Sequence, residues 1–279
     1  MATEQPNDLV TIVTTEASRL RGILSHLDAQ TWASDSTSEG WTIEDVVAHL
    51  AGNIDNWTSN LTRAVAGNFS PPEGQAFLPP RARASHPTGA TARGSRRLSG
   101  PQILDVFDEG HERFRSILET LLDEDWDKPC FHRRGIVTAS VFVGLQVQEL
   151  ALHGWDICRT LDDAAELSEI SLPVLTDLVP RWIDTAFMPN LDLPAPMTFR
   201  FDVSDPMPVH QDLLINSCAY EMVASTKESA DVTFRCDTGN YILMMYGRLE
   251  VERAIADGRL LVDGSMERAK RFNTWFKGF

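Results

Sequence analysis

The segment from Thr138 to Leu161 limits the fold more than any other part of the chain. Read as a helix it is apolar on most sides, which suits a helix packed among others rather than one lying on a surface. Two chemistry-bearing residues interrupt it. Glu149 and His153 stand four apart, so they lie one turn above each other on the same face, among Leu145, Leu150, Ala151 and Leu152. A carboxylate in such surroundings is costly unless something pairs it. A divalent metal ion held by both side chains would satisfy it, and so would a buried Glu–His hydrogen bond that only orients the helix. Cys158, on the same helix, adds a candidate nucleophile, although its neighbours Ile157 and Leu161 read as ordinary core.

Other helical stripes supply the surroundings such a helix needs. Residues 6–28 carry Leu9, Ile12, Val13, Leu20, Ile23, Leu24 and Leu27 mostly at three- and four-residue intervals, with His26 off the stripe and solvated. After a Ser/Thr/Gly-rich break from Ser34 to Gly40, Thr42 and Asp45 form a capping-box pattern. The helix it opens runs to about Ala66, with Val46, Val47, Leu50, Ile54, Trp57 and Leu61 as its apolar face and His49 beside that face. Ser99 and Pro101 open a third helix whose stripe includes Ile103, Leu104, Phe107, Phe114, Ile117, Leu118 and Leu121. His111 lies on or near that stripe and is a reserve ligand. Cys130 to Gly135 reads as a turn, and a fifth helical segment over 168–187 is expected to kink or end at Pro180.

Four amphipathic helices of this length most simply make a four-helix bundle, and bundles build metal sites from side chains on facing helices. His49 from the second helix would complete a triad with Glu149 and His153 from the fourth. Between them, residues 67–98 are rich in proline and glycine and carry Arg81, Arg83, Arg93, Arg96 and Arg97 with no acidic residue after Glu73. A connection of this kind reads as a lid for an anionic ligand or as a solvated loop.

Pro189 to Pro196 reads as a linker, and beyond it the periodicity changes. Strand-like alternation appears at 197–203 and 231–236, with further strands expected at 212–219 and 259–262. Helices are expected over 240–246 and 265–276. The fold class is therefore α+β in two domains, residues 1–188 a helical bundle and 196–279 a smaller mixed module. The formal charge of −15 disfavours general binding to nucleic acid or an anionic membrane. Neither a secretory signal nor an apolar membrane-spanning run is evident. The four cysteines form no C-x-x-C and read as reduced thiols of a cytoplasmic protein.

Two stretches resemble a known family. Gly40-Trp41-Thr42-Ile43-Glu44-Asp45-Val46-Val47-Ala48-His49-Leu50 is similar to the opening motif of the mycothiol-dependent maleylpyruvate isomerase family, and Glu149-Leu150-Ala151-Leu152-His153-Gly154-Trp155-Asp156 to its second. The resemblance implies a DinB-like four-helix bundle in which His49, Glu149 and His153 bind a divalent metal, usually zinc. It also implies mycothiol as the thiol co-substrate. Ala230-Asp231-Val232-Thr233, Tyr246-Gly247-Arg248 and the run Asp257 to Ser265 are similar to a sterol-carrier-like module attached to many members.

Three protein ligands leave a metal an open position, and a thiol arriving there would be deprotonated. The thiolate would then attack a small electrophile. Thiol S-transfer is the first reading, and cis–trans isomerisation of the maleylpyruvate type the second. A non-enzymatic small-molecule-binding protein with a structural metal, or a metal-dependent hydrolase, uses the same ligands without the thiol. Arg248 is the expected anchor for substrate or thiol, with the loop arginines as rivals. Asp156, three residues past His153, orients a ligand or anchors a neighbouring helix. Other divalent metals suit the same donors, and monomer and homodimer both remain open.

Overall fold

The computed structural model describes residues 6–78, 98, 100–226 and 229–278, with residues 6 and 7 described for backbone alone. The basic arginines from Arg81 to Arg97 lie outside the described residues. The chain divides into two compact units, Met1–Val174 and Leu175–Phe279.

The first unit is built on four long helices: α1 (Pro6–Leu24), α3 (Ile43–Val65), α4 (Pro101–Leu118) and α5 (Ala139–Leu161). A single turn, α2 (Ala29–Trp32), precedes α3. Each long helix packs on two others, α1 against α5 and α4, and α3 against α4 and α5, which closes a four-membered ring. The expected stripes form its interior. Leu9, Ile12, Val13, Leu20 and Leu24 of α1 are buried, as are Val46, Val47, Leu50, Ile54 and Leu61 of α3. His26 is exposed. On α5, Phe142, Val143, Val147, Leu150, Ala151, Leu152 and Ile157 are all buried, as a central helix requires.

Local signals set the helix ends. Thr42 Oγ1 accepts from the Asp45 amide at 3.2 Å, and Asp45 Oδ2 accepts from the Thr42 amide at 3.0 Å. The box is formed as the spacing predicts. Thr138 caps α5, accepting from the Val141 amide. The N-cap of α4 is Gly100 rather than Ser99, with φ 47° and its amide donating to buried Glu44 Oε1 at 2.6 Å. A carboxylate from α3 thus satisfies the amide of the N-cap residue and places a negative charge at the start of α4. Residues 130–135, expected as a turn, instead belong to a hairpin of β1 (Pro129–His132) and β2 (Gly135–Thr138).

The boundary between the units falls earlier than the 1–188 and 196–279 bounds read from the sequence. Helix α6 (Leu172–Ala186) continues through Pro180 without ending there. Pro180 is exposed while Leu175, Leu178, Val179 and Ile183 are buried, so packing on the apolar side holds the helix across the missing donor. Most of α6 packs within the second unit. The Tyr246 hydroxyl donates to the Leu175 carbonyl, the Trp182 indole to the Met245 carbonyl at 2.9 Å, and Phe187 lies 5.6 Å from Phe276. These aromatic anchors carry the boundary into the helix, ahead of the proline-rich linker.

The second unit holds a five-stranded sheet in the order β5-β4-β3-β6-β7. Its strands are β3 (Met197–Val203), β4 (Val209–Ile215), β5 (Tyr220–Ala224), β6 (Val232–Cys236) and β7 (Leu261–Gly264). β3 pairs parallel with β6, and the other pairs are antiparallel. Strict alternation along β3 buries Met197, Phe199, Phe201 and Val203 against Phe234 and Phe272. Helices α7 (Thr238–Met245), α8 (Val251–Ala256), α9 (Met266–Lys270) and α10 (Phe272–Trp275) complete the unit. Strand β5 and helix α8 had no expected counterpart, and β4 and β7 are offset from the spans read in the sequence. Among the described residues no helix is long and apolar enough to cross a membrane.

Candidate metal centre

Three side chains from the two expected helices meet inside the first unit. His49 of α3 brings Nε2 to 3.2 Å from Glu149 Oε2, and His153 of α5 brings Nε2 to 3.6 Å from the same oxygen. One ligand atom from each residue lies within 4.8 Å of the others. The imidazole centroids are 5.1 Å apart and tilted edge to face. A four-coordinate ion with bonds of ~2.0–2.1 Å separates its ligand atoms by about 3.4 Å. The two measured pairs bracket that spacing, and the N, O, N donor set suits zinc and neighbouring divalent metals. Among the described residues this is the one group of three or more His, Cys, Asp or Glu side chains placed to share an ion.

Further groups hold these side chains in place. Asp156 Oδ2 lies 3.1 Å from His153 Nδ1, and Asp156 is 1 % exposed. An ionised carboxylate only accepts, so this contact favours the tautomer with the proton on Nδ1 and the Nε2 lone pair toward Glu149. Ser38 Oγ donates to the same Oδ2 at 2.9 Å, and the Thr37 hydroxyl reaches the Asp156 main-chain oxygen at 3.1 Å. The Trp41 ring meets His49 edge to face, with centroids 5.5 Å apart. Asn53, one turn after His49, places Nδ2 within 3.2 Å of its Nε2. Two turns along, Trp57 packs on Phe142 at 4.4 Å and stacks with His132.

The family model for the mycothiol maleylpyruvate isomerase N-terminal domain matches residues 13–158, just over half of the chain. The chain belongs to that family. A second model, the SCP-2 sterol transfer family, matches residues 195–277. The crystal structure of a mycothiol-dependent maleylpyruvate isomerase has the same fold, with a TM-score of 0.61 at 15% identity, over 88% of this chain and 90% of that one. A histidine-to-alanine mutant of a mycothiol-dependent maleylpyruvate isomerase gives 0.63 at 14% identity, over 92% of each chain. No curated protein sequence matches the chain.

Within this member of the mycothiol maleylpyruvate isomerase family, the remaining candidates fall elsewhere. The reserve ligand His111 is buried on α4, where its Nδ1–H donates to the Phe107 carbonyl at 2.9 Å and Gln146 Nε2 approaches its Nε2 at 3.4 Å. Burial pushes its pKa down to about 4, so it is a neutral core histidine. Cys158 lies 3.6 Å from a guanidinium nitrogen of Arg19, which also pairs with fully buried Glu16. Burial is the largest single influence and lowers the Arg19 pKa, but the charge and hydrogen bond of Glu16 and the contact with Cys158 together outweigh it, and the net shift is upward. Burial raises the thiol of Cys130 to about 12, which removes it as a nucleophile at neutral pH. Cys218 is exposed and Cys236 half-buried. Arg248 lies in the second unit, half-buried, with its guanidinium donating to the Tyr246 carbonyl at 3.3 Å.

Sequence reasoning did not assign roles to Ser38, Trp41 or Asn53. Asn53 was available from the spacing, since it follows His49 by one helical turn. Ser38 and Trp41 precede the helix: nothing in the spacing ties Ser38 to Asp156, 118 positions away, and the contact of Trp41 with His49 depends on how the intervening turn folds.

Proposed function

We propose that this protein is a metal-dependent, mycothiol-using enzyme that joins the thiol sulfur to a small electrophilic substrate. The observation that supports it most is the approach of His49, Glu149 and His153 from two helices, with one ligand atom of each within 4.8 Å of the others. When bound there, a divalent cation would lower the pKa of a thiol at its remaining position and so supply the nucleophile at neutral pH. In this reading the chain's own residues have two tasks. His49 and His153 present neutral nitrogens and Glu149 the compensating charge. Asp156 keeps the His153 proton on Nδ1, so that Nε2 stays available.

In thiol transfer a sulfur–carbon bond forms, the thiol proton passes to solvent and a leaving group departs with its bonding electrons, or the proton ends on carbon. In the second reading the sulfur adds to a conjugated double bond, the carbon–carbon bond rotates, and the sulfur is eliminated again. Family membership favours that reading. Product mass separates the two. Zinc-loaded protein, mycothiol and a panel of electrophiles with and without a cis double bond are expected to give a product heavier by the thiol, or heavier by the thiol less its leaving group. A geometric isomer of unchanged mass would select isomerisation. Turnover that proceeds equally well without thiol would sink both and leave hydrolysis.

A further inference from the structure

A single turn before α3 touches the surroundings of both histidines. From Ser34 to Ile43 the chain folds back on itself. The Ile43 amide donates to the Ser34 carbonyl at 3.0 Å, and the Ser36 amide and hydroxyl donate to the Trp41 carbonyl at 2.7 and 2.8 Å. The Trp41 amide closes onto the Ser38 carbonyl at 3.0 Å, and the Ser38 amide reaches Ser36 Oγ. Gly40 takes φ 75°, which a residue with a side chain rarely adopts. The turn is tied at both ends. The Thr37 amide donates to Thr160 Oγ1 on α5 at 3.1 Å, and Thr42 is locked to α3 by the capping box.

Two side chains leave this turn toward the triad. Ser38 donates to the Asp156 oxygen that also faces His153 Nδ1. Trp41 lays its ring against His49. We infer that the Ser38–Trp41 turn is a positioning element for both histidines, Ser38 acting through Asp156 on His153 and Trp41 acting directly on His49. The inference rests on the metal-centre reading above. Without the Ser38 hydroxyl, Asp156 Oδ2 loses a donor and the carboxylate gains freedom to turn about its Cβ–Cγ bond. The hydrogen bond that keeps the His153 proton on Nδ1 then weakens, and the fraction of molecules offering Nε2 falls. Outer partners of metal-binding histidines typically change metal affinity by about 10–100-fold.

Zinc affinity of the full chain, measured by competition with a chelator, tests the inference together with side-chain 15N spectra of His153 in the metal-free protein. Wild type is expected to show the Nδ1–H tautomer. Ser38→Ala is expected to weaken zinc binding by about 10–100-fold and to mix the tautomers. Ser38→Thr, which keeps the hydroxyl, should restore both, and Trp41→Leu should weaken binding by about tenfold with the tautomer unchanged. A purely structural role would lower the melting temperature of Ser38→Ala without mixing the tautomers, and that result overturns the inference. So does an Nε2–H tautomer in wild type, which needs no variant to fold. Wild type that takes up no divalent ion overturns the metal-centre reading itself, a separate outcome.

Discussion

His111 offers a test of the bundle interior that needs no knowledge of substrate. Its imidazole is 7 % exposed, and its pKa falls from the ordinary 6.5 to about 4 because burial penalises the charged form. The native state therefore holds this histidine neutral at pH values where the unfolded chain protonates it. The unfolded state then binds more protons, so stability rises with pH. The contribution is fully present above pH 6.5 and is lost as pH falls from there toward 4. Between pH 7 and pH 5 these two values give a loss of about 2 kcal/mol from this one side chain. Urea unfolding of wild type and of His111→Gln at both pH values isolates it, since groups common to the two proteins cancel in the difference. Wild type is expected to lose about 2 kcal/mol more than the variant on going to pH 5. Equal losses, or an NMR titration placing His111 near 6.5, would refute the burial argument and reopen the residue as a ligand.

Two further expectations concern packing in the same unit. A methyl group at Gly110 of α4 would lie 2.3 Å from Ile54 Cγ2 on α3, and the branched side chain has little room to yield. Overpacking costs about 1–3 kcal/mol and the better helix propensity of alanine returns about 1. Gly110→Ala should therefore lower the melting temperature by up to roughly 8 °C, and a higher value would mean that the two helices separate readily. Glu16→Gln keeps a partner for the Ser171 hydroxyl, which donates to Glu16 Oε1 at 2.8 Å, but leaves the Arg19 charge uncompensated. Because Arg19 is nearly a third exposed, the loss is set below that of a fully buried pair, at about 2 kcal/mol by chemical denaturation. No measurable loss would mean that solvent already carries that charge.

Much of the first unit could be read without coordinates, because its information is local. The stripes on α1, α3, α4 and α5 follow the helical period, and the Thr42–Asp45 box is a pattern over four residues. The convergence of the candidate metal ligands was legible for a related reason. Glu149 and His153 share a face by spacing alone, and His49 sits in a motif that resembles the family's. The errors lay where long-range contacts replace local preference. Glu44 of α3 accepts the Gly100 amide at the start of α4, and the aromatic residues of α6 join it to the second unit across Pro180. The two short strands at 129–138 were mistaken for a turn because each is only four residues long.

By itself the sequence determined which faces of the helices are apolar and which residue types can bind a cation, since both follow from side-chain chemistry repeated at a fixed rise. Only the tertiary structure decided which faces meet, that β3 runs parallel to β6, and that Ser38 reaches Asp156 and Trp41 the ring of His49. Those outcomes depend on the closing of loops, whose entropy is insensitive to the identity of the residues that come together. The chain records the partners of a helix face plainly, and the partners of a loop hardly at all.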